Sequence, residues 1–203
     1  MFDLVNLVQT AGYLGLFAII FAESGILIGL FLPGDSLLFT TGFLASQGYL
    51  DVWVLIPLLF TAAFLGDSTG YWIGDKVGPK IFNRPKSFWF NPENVEKTRA
   101  FFEKHGAQAV VLARFLPIVR TFIPVMAGVG EMKYRTFVFY NAVGAFLWAT
   151  GLTLGGYLFG NIIPDADRYV LPVVLLIIIA SLLPPAWHMI KERRKKSDII
   201  RKI

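Results

Sequence analysis

Between Leu4 and Leu50 the only charged side chains are Glu23 and Asp35. A bilayer crossing takes about 20 residues, so this run is too long for one ordinary span, and it is interrupted at Pro33-Gly34. Proline lacks a backbone donor and clashes with the preceding turn, so a helix carrying it at membrane depth kinks or breaks there. The stretch therefore predicts two helical arms meeting in a turn. The same phrase returns past the middle of the chain. Phe31-Leu32-Pro33 has a second copy in Phe115-Leu116-Pro117, bracketed by Arg114 and Arg120 where the first is bracketed by Glu23 and Asp35. Two broken helices flanked by opposite charges are the candidate working centre, with Pro33, Gly34 and Pro117 at the breaks.

With 55% hydrophobic and 16% charged residues, the chain lies far outside the range of soluble domains and reads as a polytopic membrane protein. The net charge of +5 does not point to nucleic acid. The lysines and arginines gather beside apolar runs, where they set topology and touch anionic headgroups. Cysteine is absent, which excludes disulfides, thiolate metal sites and thiol catalysis. The amino terminus lacks the basic leader and small-residue cleavage site of a removable signal, so the first apolar stretch is expected in the mature protein.

Val52 to Gly74 is a second apolar run with one charge, Asp67. Asp75 to Lys104 is polar and rich in lysine and arginine, which marks a cytoplasmic loop. Within it, Asn91-Pro92-Glu93 has the makings of a helix start. Val95, Phe101 and Phe102 give that helix an apolar side, to lie on the membrane surface or pack on the bundle. Ala107 to Gly130 is apolar except for Arg114 and Arg120. Thr136 to Ile163 and Tyr169 to Ile190 are each long enough to span, and the basic stretch from Lys191 to Lys196 marks a cytoplasmic tail. If Ala107 to Gly130 also crossed, the basic loop and the basic tail would fall on opposite sides. Parity therefore favours a re-entrant hairpin, a form of backbone tolerated only where protein buries it or a watery cavity lines it.

The halves can be superposed as sequences. Gly15 precedes Glu23 by the interval at which Gly106 precedes Arg114, and Gly70-Tyr71-Trp72-Ile73-Gly74 matches Gly156-Tyr157-Leu158-Phe159-Gly160 at nearly the same offset from its Phe-Leu-Pro. The predicted fold is all-α: two inverted repeats, each a re-entrant broken-helix hairpin plus a transmembrane helix, then a last transmembrane helix. Residues 1–190 form one membrane domain, with repeat one at 10–75, the loop with its amphipathic helix at 76–105, repeat two at 106–163 and the last span at 169–190. Residues 191–203 are the basic tail. Inverted repeats of broken helices meeting near the midplane are a recurring transporter plan.

At these residues the chain resembles the DedA family of membrane proteins, whose domain is also called VTT or SNARE-associated. The resemblance rests on Phe21-Ala22-Glu23, Leu32-Pro33-Gly34-Asp35, Gly66-Asp67, the first Gly-Tyr-x-x-Gly, Ala113-Arg114-Phe115-Leu116-Pro117 through Arg120, Ala127-Gly128 and Gly144-Ala145-Phe146-Leu147-Trp148. It implies inverted repeats with re-entrant hairpins and the transport or scrambling of lipids. For bacterial members it implies recycling of undecaprenyl phosphate across the inner membrane, linked to the proton-motive force. The family's essential acidic and arginine pairs fall on Glu23, Asp35, Arg114 and Arg120.

The chemistry of these residue types fits that implication. A lone charge at mid-bilayer costs roughly 2.5 to 3.5 kcal/mol on insertion scales, so retained charges need partners or a polar cavity. Arginine keeps its proton and presents a fork that matches phosphate, which makes Arg114 and Arg120 candidate ligands for a lipid phosphate. Glu23 and Asp35 are the candidate proton carriers: an acid in such a cavity is poised to exchange protons as its arginine partner comes and goes. Plainer roles stand beside these. Asp35 suits a helix cap, Glu23 and Arg114 a structural ion pair, and Arg120 a snorkelling side chain. Asp67, with Ser68 and Thr69, is a secondary polar site read as a locally bonded turn rather than a relay.

Trp53, Trp72, Trp148 and Trp187 are read mostly as interface anchors or packing. Neither His105 nor His188 has metal-ligand company, and no metal or cofactor is expected. The expected function is a lipid flippase for undecaprenyl phosphate or a related anionic lipid, in the bacterial inner membrane, with a cytoplasmic carboxyl terminus. Its expected partners are the bilayer, the lipid and protons, with room for a homo-oligomer. The alternative is a proton-coupled carrier of cations or small solutes. An enzyme such as a lipid phosphatase needs a nucleophile with a base, or a metal cluster, and neither is legible.

Overall fold

The structure, a computed structural model, describes residues 4–25, 34–82, 100–102 and 104–162. Pro33, most of the basic loop, the expected last span at 169–190, the tail and His188 lie outside the described residues. Six helices lie within the described residues: α1 (Leu4–Gly25), α2 (Gly34–Ser46), α3 (Val52–Phe82), α4 (Gln108–Ala113), α5 (Pro117–Val129) and α6 (Tyr134–Ile162). Residues 100–102 and 104–105 are helical too.

Local chemistry sets these boundaries. α3 is capped by Asp51, whose Oδ1 accepts the Trp53 N–H at 2.8 Å, the bond an N-cap supplies to an orphan donor. The Asp51 N–H is itself held by the Tyr13 hydroxyl at 2.8 Å. Before α4, Gly106 takes φ +69° and its N–H returns to Phe102 O at 2.8 Å. That left-handed ending suits glycine. Between α4 and α5 the backbone opens at Leu116, which is extended at φ −111°, ψ 105° ahead of Pro117. A residue before proline is pushed out of the helical region, and proline at the first helical position sacrifices no internal bond.

α3 and α6 are long and apolar enough to cross a bilayer, over Val52–Lys76 and Tyr134–Ile162. α3 does not stop at Gly74, where the polar loop is expected to begin, but continues to Phe82. Its last turns need no apolar surroundings, because a helix satisfies its own backbone. Lys76 stays with it by placing Nζ 4.0 Å from the centre of the Trp72 ring one turn back.

Two buried clusters hold the bundle. One joins α1, α2, α3 and α6 through Ile20, Leu38, Leu55, Leu59 and Ala149. The other joins α3, α4, α5 and α6 through Tyr71, Ala109, Ile123, Ala127 and Phe137. Two of the most extensive helix contacts are reciprocal. α2 lies on α6 and α5 lies on α3, both through glycines. A side chain at Gly42 would collide with the Thr153 carbonyl and one at Gly156 with the Phe39 carbonyl. A side chain at Gly74 would collide with the Val125 carbonyl and one at Gly128 with the Tyr71 carbonyl. Each Gly-Tyr-x-x-Gly is thus the groove in a long helix that receives the short helix from the other part of the chain. Without a hydrophobic drive between helices in lipid, such close backbone approach supplies van der Waals contact.

Candidate functional site

The end of α1, the start of α2 and the turn after α4 bring their charged residues to one place. Glu23 sits in the last turn of α1, 1% exposed, and Asp35 in the first turn of α2. Gly34 is pressed against the Glu23 carboxylate so closely that any side chain there would overlap it. From α5, Arg120 reaches both acids: Nη2 donates to Glu23 Oε1 and Nη1 to Asp35 Oδ1. From α6, Trp148 completes the group. Its indole Nε1–H donates to the same Asp35 oxygen at 2.7 Å, and its ring centre is 4.8 Å from the Arg120 guanidinium carbon. A cation over an indole face gains roughly 0.5 to 2 kcal/mol or more, depending on desolvation.

A second group lies beside the first. Arg114, in the turn after α4, donates through Nη2 to Asp67 Oδ2 and, at 2.8 Å, to Asn141 Oδ1. Asn141 is fully buried and spends its amide on α3, donating to Phe64 O at 3.1 Å and Ser68 Oγ at 3.5 Å. The Trp148 ring centre lies 5.6 Å from the Arg114 guanidinium carbon, so one indole adjoins both arginines.

The two groups differ in access. Arg114 and Asp67 have side chains only 4% and 8% exposed, whereas Asp35 is 44% exposed beside an Arg120 that is 11% exposed. Asp35 and Trp148 also line a cleft of about 320 Å³ whose other walls are Phe115, Leu147, Gly151 and Leu152. The five ionisable side chains comprise three carboxyl groups and two guanidiniums. An anion therefore reaches Arg120 favourably only by displacing a carboxylate.

Several sequence expectations take a definite place here. Glu23 and Asp35 meet Arg120, and Arg114 meets Asp67 rather than Glu23. Asp67 is not in a local turn. Ser68 and Thr69 bond back to Phe64 O and Leu65 O, each at 2.8 Å. α3 runs unbroken through these residues from Val52 to Phe82, so Asp67 projects from the interior of α3. Arg120 does not snorkel; two acids hold it inside. Trp148 is packed inside, 3% exposed, and its indole donates to Asp35 at the edge of the cleft. Asn141 is not among the residues the sequence singles out, although a carboxamide early in the apolar run of α6, well away from the Asn161 at its end, is a signal. His105 is exposed with a ring nitrogen 3.0 Å from Phe101 O, and among the described residues no cluster suits a metal ion.

The family model for the VTT domain matches residues 32–158. Protein DedA of Escherichia coli K12 is 45% identical over 184 residues, covering 90% of this chain and 84% of that protein. An uncharacterized membrane protein of Mycobacterium leprae, ML0287, is 45% identical over 186 residues, covering 89% of this chain and 83% of its own length. Inner membrane protein YghB of Escherichia coli K12 is 34% identical over 196 residues, covering 89% and 85%. No solved structure matches the chain.

Proposed function

This chain belongs to the DedA family of VTT-domain membrane proteins, and from that membership and the geometry around Arg120 we propose that it is a lipid transporter rather than an enzyme. It carries an anionic lipid, undecaprenyl phosphate or a relative, across the bacterial inner membrane, and the movement is coupled to protons. The observation that carries this reading is the Arg120 fork held between Glu23 and Asp35 with Asp35 open to a cleft.

Arg120 is the headgroup ligand in this scheme. The empty-handed state pairs it with both acids. A phosphate monoester offers oxygens that match the guanidinium fork at least as well as carboxylate. As the headgroup binds, Glu23 and Asp35 leave Arg120 and each loses the partner that favoured its ionised form, so the displaced acids take up protons. Return of the acids to Arg120 releases both headgroup and protons on the other face. Arg114 takes the headgroup only if Asp67 and Asn141 let it go; sealed as it is, its first role is to fix the turn that aims Arg120.

The same reading treats residues 10–75 and 106–163 as inverted repeats whose hairpins are re-entrant, with the basic loop and carboxyl terminus in the cytoplasm. Reciprocal seating of α2 on α6 and α5 on α3 supports a two-fold relation between the parts. The experiment is reconstitution of the purified protein in liposomes, following a fluorescent prenyl phosphate against ion flux. Movement of the lipid that rises with an imposed pH gradient supports the proposal. Ion or solute flux without lipid movement would replace it with a proton-coupled carrier, and phosphate release would make the protein an enzyme.

A further inference from the structure

We propose that the cleft beside Asp35 holds the first part of the lipid's hydrocarbon chain, so that headgroup and chain occupy adjoining compartments divided by Trp148. This rests on the headgroup reading above and adds a second, apolar half to it. The cleft and the charged group share two residues, Asp35 and Trp148, and beyond them the lining is Phe115, Leu147, Gly151 and Leu152. A ligand held at Arg120 therefore adjoins, through Asp35 and Trp148, a space whose remaining described lining is apolar or glycine. At about 320 Å³ the space sits at the small end of ligand pockets, roughly 300 to 1,000 Å³.

The direction in which the cleft opens selects the occupant. Leu147 is 48% exposed, its neighbour Phe146 is 53% exposed, and both lie on α6, a helix long and apolar enough to cross the bilayer. Phe115, in the turn between α4 and α5, is 57% exposed. The cleft is thus edged by exposed apolar side chains on or beside a helix of bilayer-spanning length, surroundings that suit a hydrocarbon chain better than a water-soluble ligand. Gly151 keeps the space open, since beyond its own chain neighbours and helix backbone nothing lies within 4 Å of where its side chain would begin. This distinguishes it from Gly42 and Gly156, which are glycine because backbone presses on them.

The test compares farnesyl phosphate, which carries a chain, with inorganic phosphate, which carries none, on full-length wild type, Gly151→Leu and Arg120→Ala in nanodiscs. Gly151→Leu fills the cleft from a position that no packing partner occupies. Farnesyl phosphate should bind at least tenfold more weakly to it than to wild type, while inorganic phosphate binds within twofold of wild type. Wild-type affinity for farnesyl phosphate in Gly151→Leu, with binding lost in Arg120→Ala, overturns the cleft and leaves the headgroup reading standing. Equal binding of both ligands to wild type and Arg120→Ala overturns the headgroup reading and the cleft with it. Should Gly151→Leu fail to fold, Leu147→Cys gives a single thiol in a chain that has none of its own. Farnesyl phosphate, and not inorganic phosphate, should then slow its alkylation by a membrane-permeant maleimide, and an unchanged rate overturns the proposal.

Discussion

Trp148 donates its indole N–H to the Asp35 oxygen that also accepts from Arg120. The indole is therefore part of the ion pair: it stabilises the ionised acid by a hydrogen bond and the guanidinium through its ring. Replacing it by phenylalanine keeps the ring and removes the donor. Hydrogen bonds to charged groups contribute about 1.5 to 3 kcal/mol, so Trp148→Phe should slow lipid movement by roughly tenfold with normal membrane yield. Trp148→Leu, lacking both contributions, should be slower still. Initial rates in liposomes measure both.

Arg120→Lys keeps a positive charge and loses the fork. A lysine cannot hold Glu23 and Asp35 as a planar bidentate bridge, nor present two parallel donors to a phosphate. Transport should fall at least tenfold while insertion stays normal, read from liposome rates and the amount of protein in the membrane fraction. Wild-type transport by Arg120→Lys would leave point charge, not fork geometry, as the property that matters.

Much of this arrangement is legible in the sequence because bilayer physics makes charges conspicuous. Glu23, Asp35, Arg114 and Arg120 stand out as the charged residues of two apolar runs, and the proline-containing phrases place them near helix breaks. What sequence does not carry is partner choice. Nothing in spacing says that Arg114 takes Asp67 and leaves Glu23 to Arg120, because that depends on how α3 and α5 pack in three dimensions. Asn141 and Trp148 were harder to read for another reason. A carboxamide or an indole in a membrane helix is neutral, and its cost becomes visible only when its hydrogen-bond partners are known.

Arg114 and Asp67 offer a clean separation of structure from transport. Both side chains are almost wholly buried, and removing one member of a buried pair leaves an uncompensated charge, at a cost of about 3 to 5 kcal/mol. Arg114→Ala and Asp67→Ala should each reduce folded protein strongly, measured by thermal melting in detergent and by membrane yield. The double replacement Asp67→Leu with Arg114→Met removes both charges together and should regain most of the lost stability. If the double variant also transports lipid, Arg114 acts through the fold; a stable but inactive double variant would assign it a direct part in the cycle.

Proton coupling has its own signature. In the proposed cycle the displaced acids must be protonated for the headgroup to stay, so lower pH on the loading side should raise the rate of lipid movement. Glu23→Gln cannot take up that proton. Its rate should be nearly independent of an imposed pH gradient, and the remaining dependence should be that of Asp35 alone. A pH response identical to wild type in Glu23→Gln, and in Asp35→Asn as well, would place the coupling on other groups.

The glycine grooves yield a prediction about the frame that holds the site. At Gly42 the Thr153 carbonyl occupies the space of a side chain, and at Gly74 the Val125 carbonyl does so. Backbone cannot rotate aside as a flexible side chain would, so even a methyl group must push α2 away from α6, or α5 away from α3. Overpacking of this kind costs typically 1 to 3 kcal/mol, and here it also shifts the helices that carry Asp35 and Arg120. Gly42→Ala and Gly74→Ala should therefore lower the melting temperature by several degrees and reduce transport together. Gly12→Ala, at a position with no atom within 4 Å, should change neither by more than the scatter of the measurement. Equal behaviour of all three variants would show that the close helix contacts do not position the two arms of the charged site.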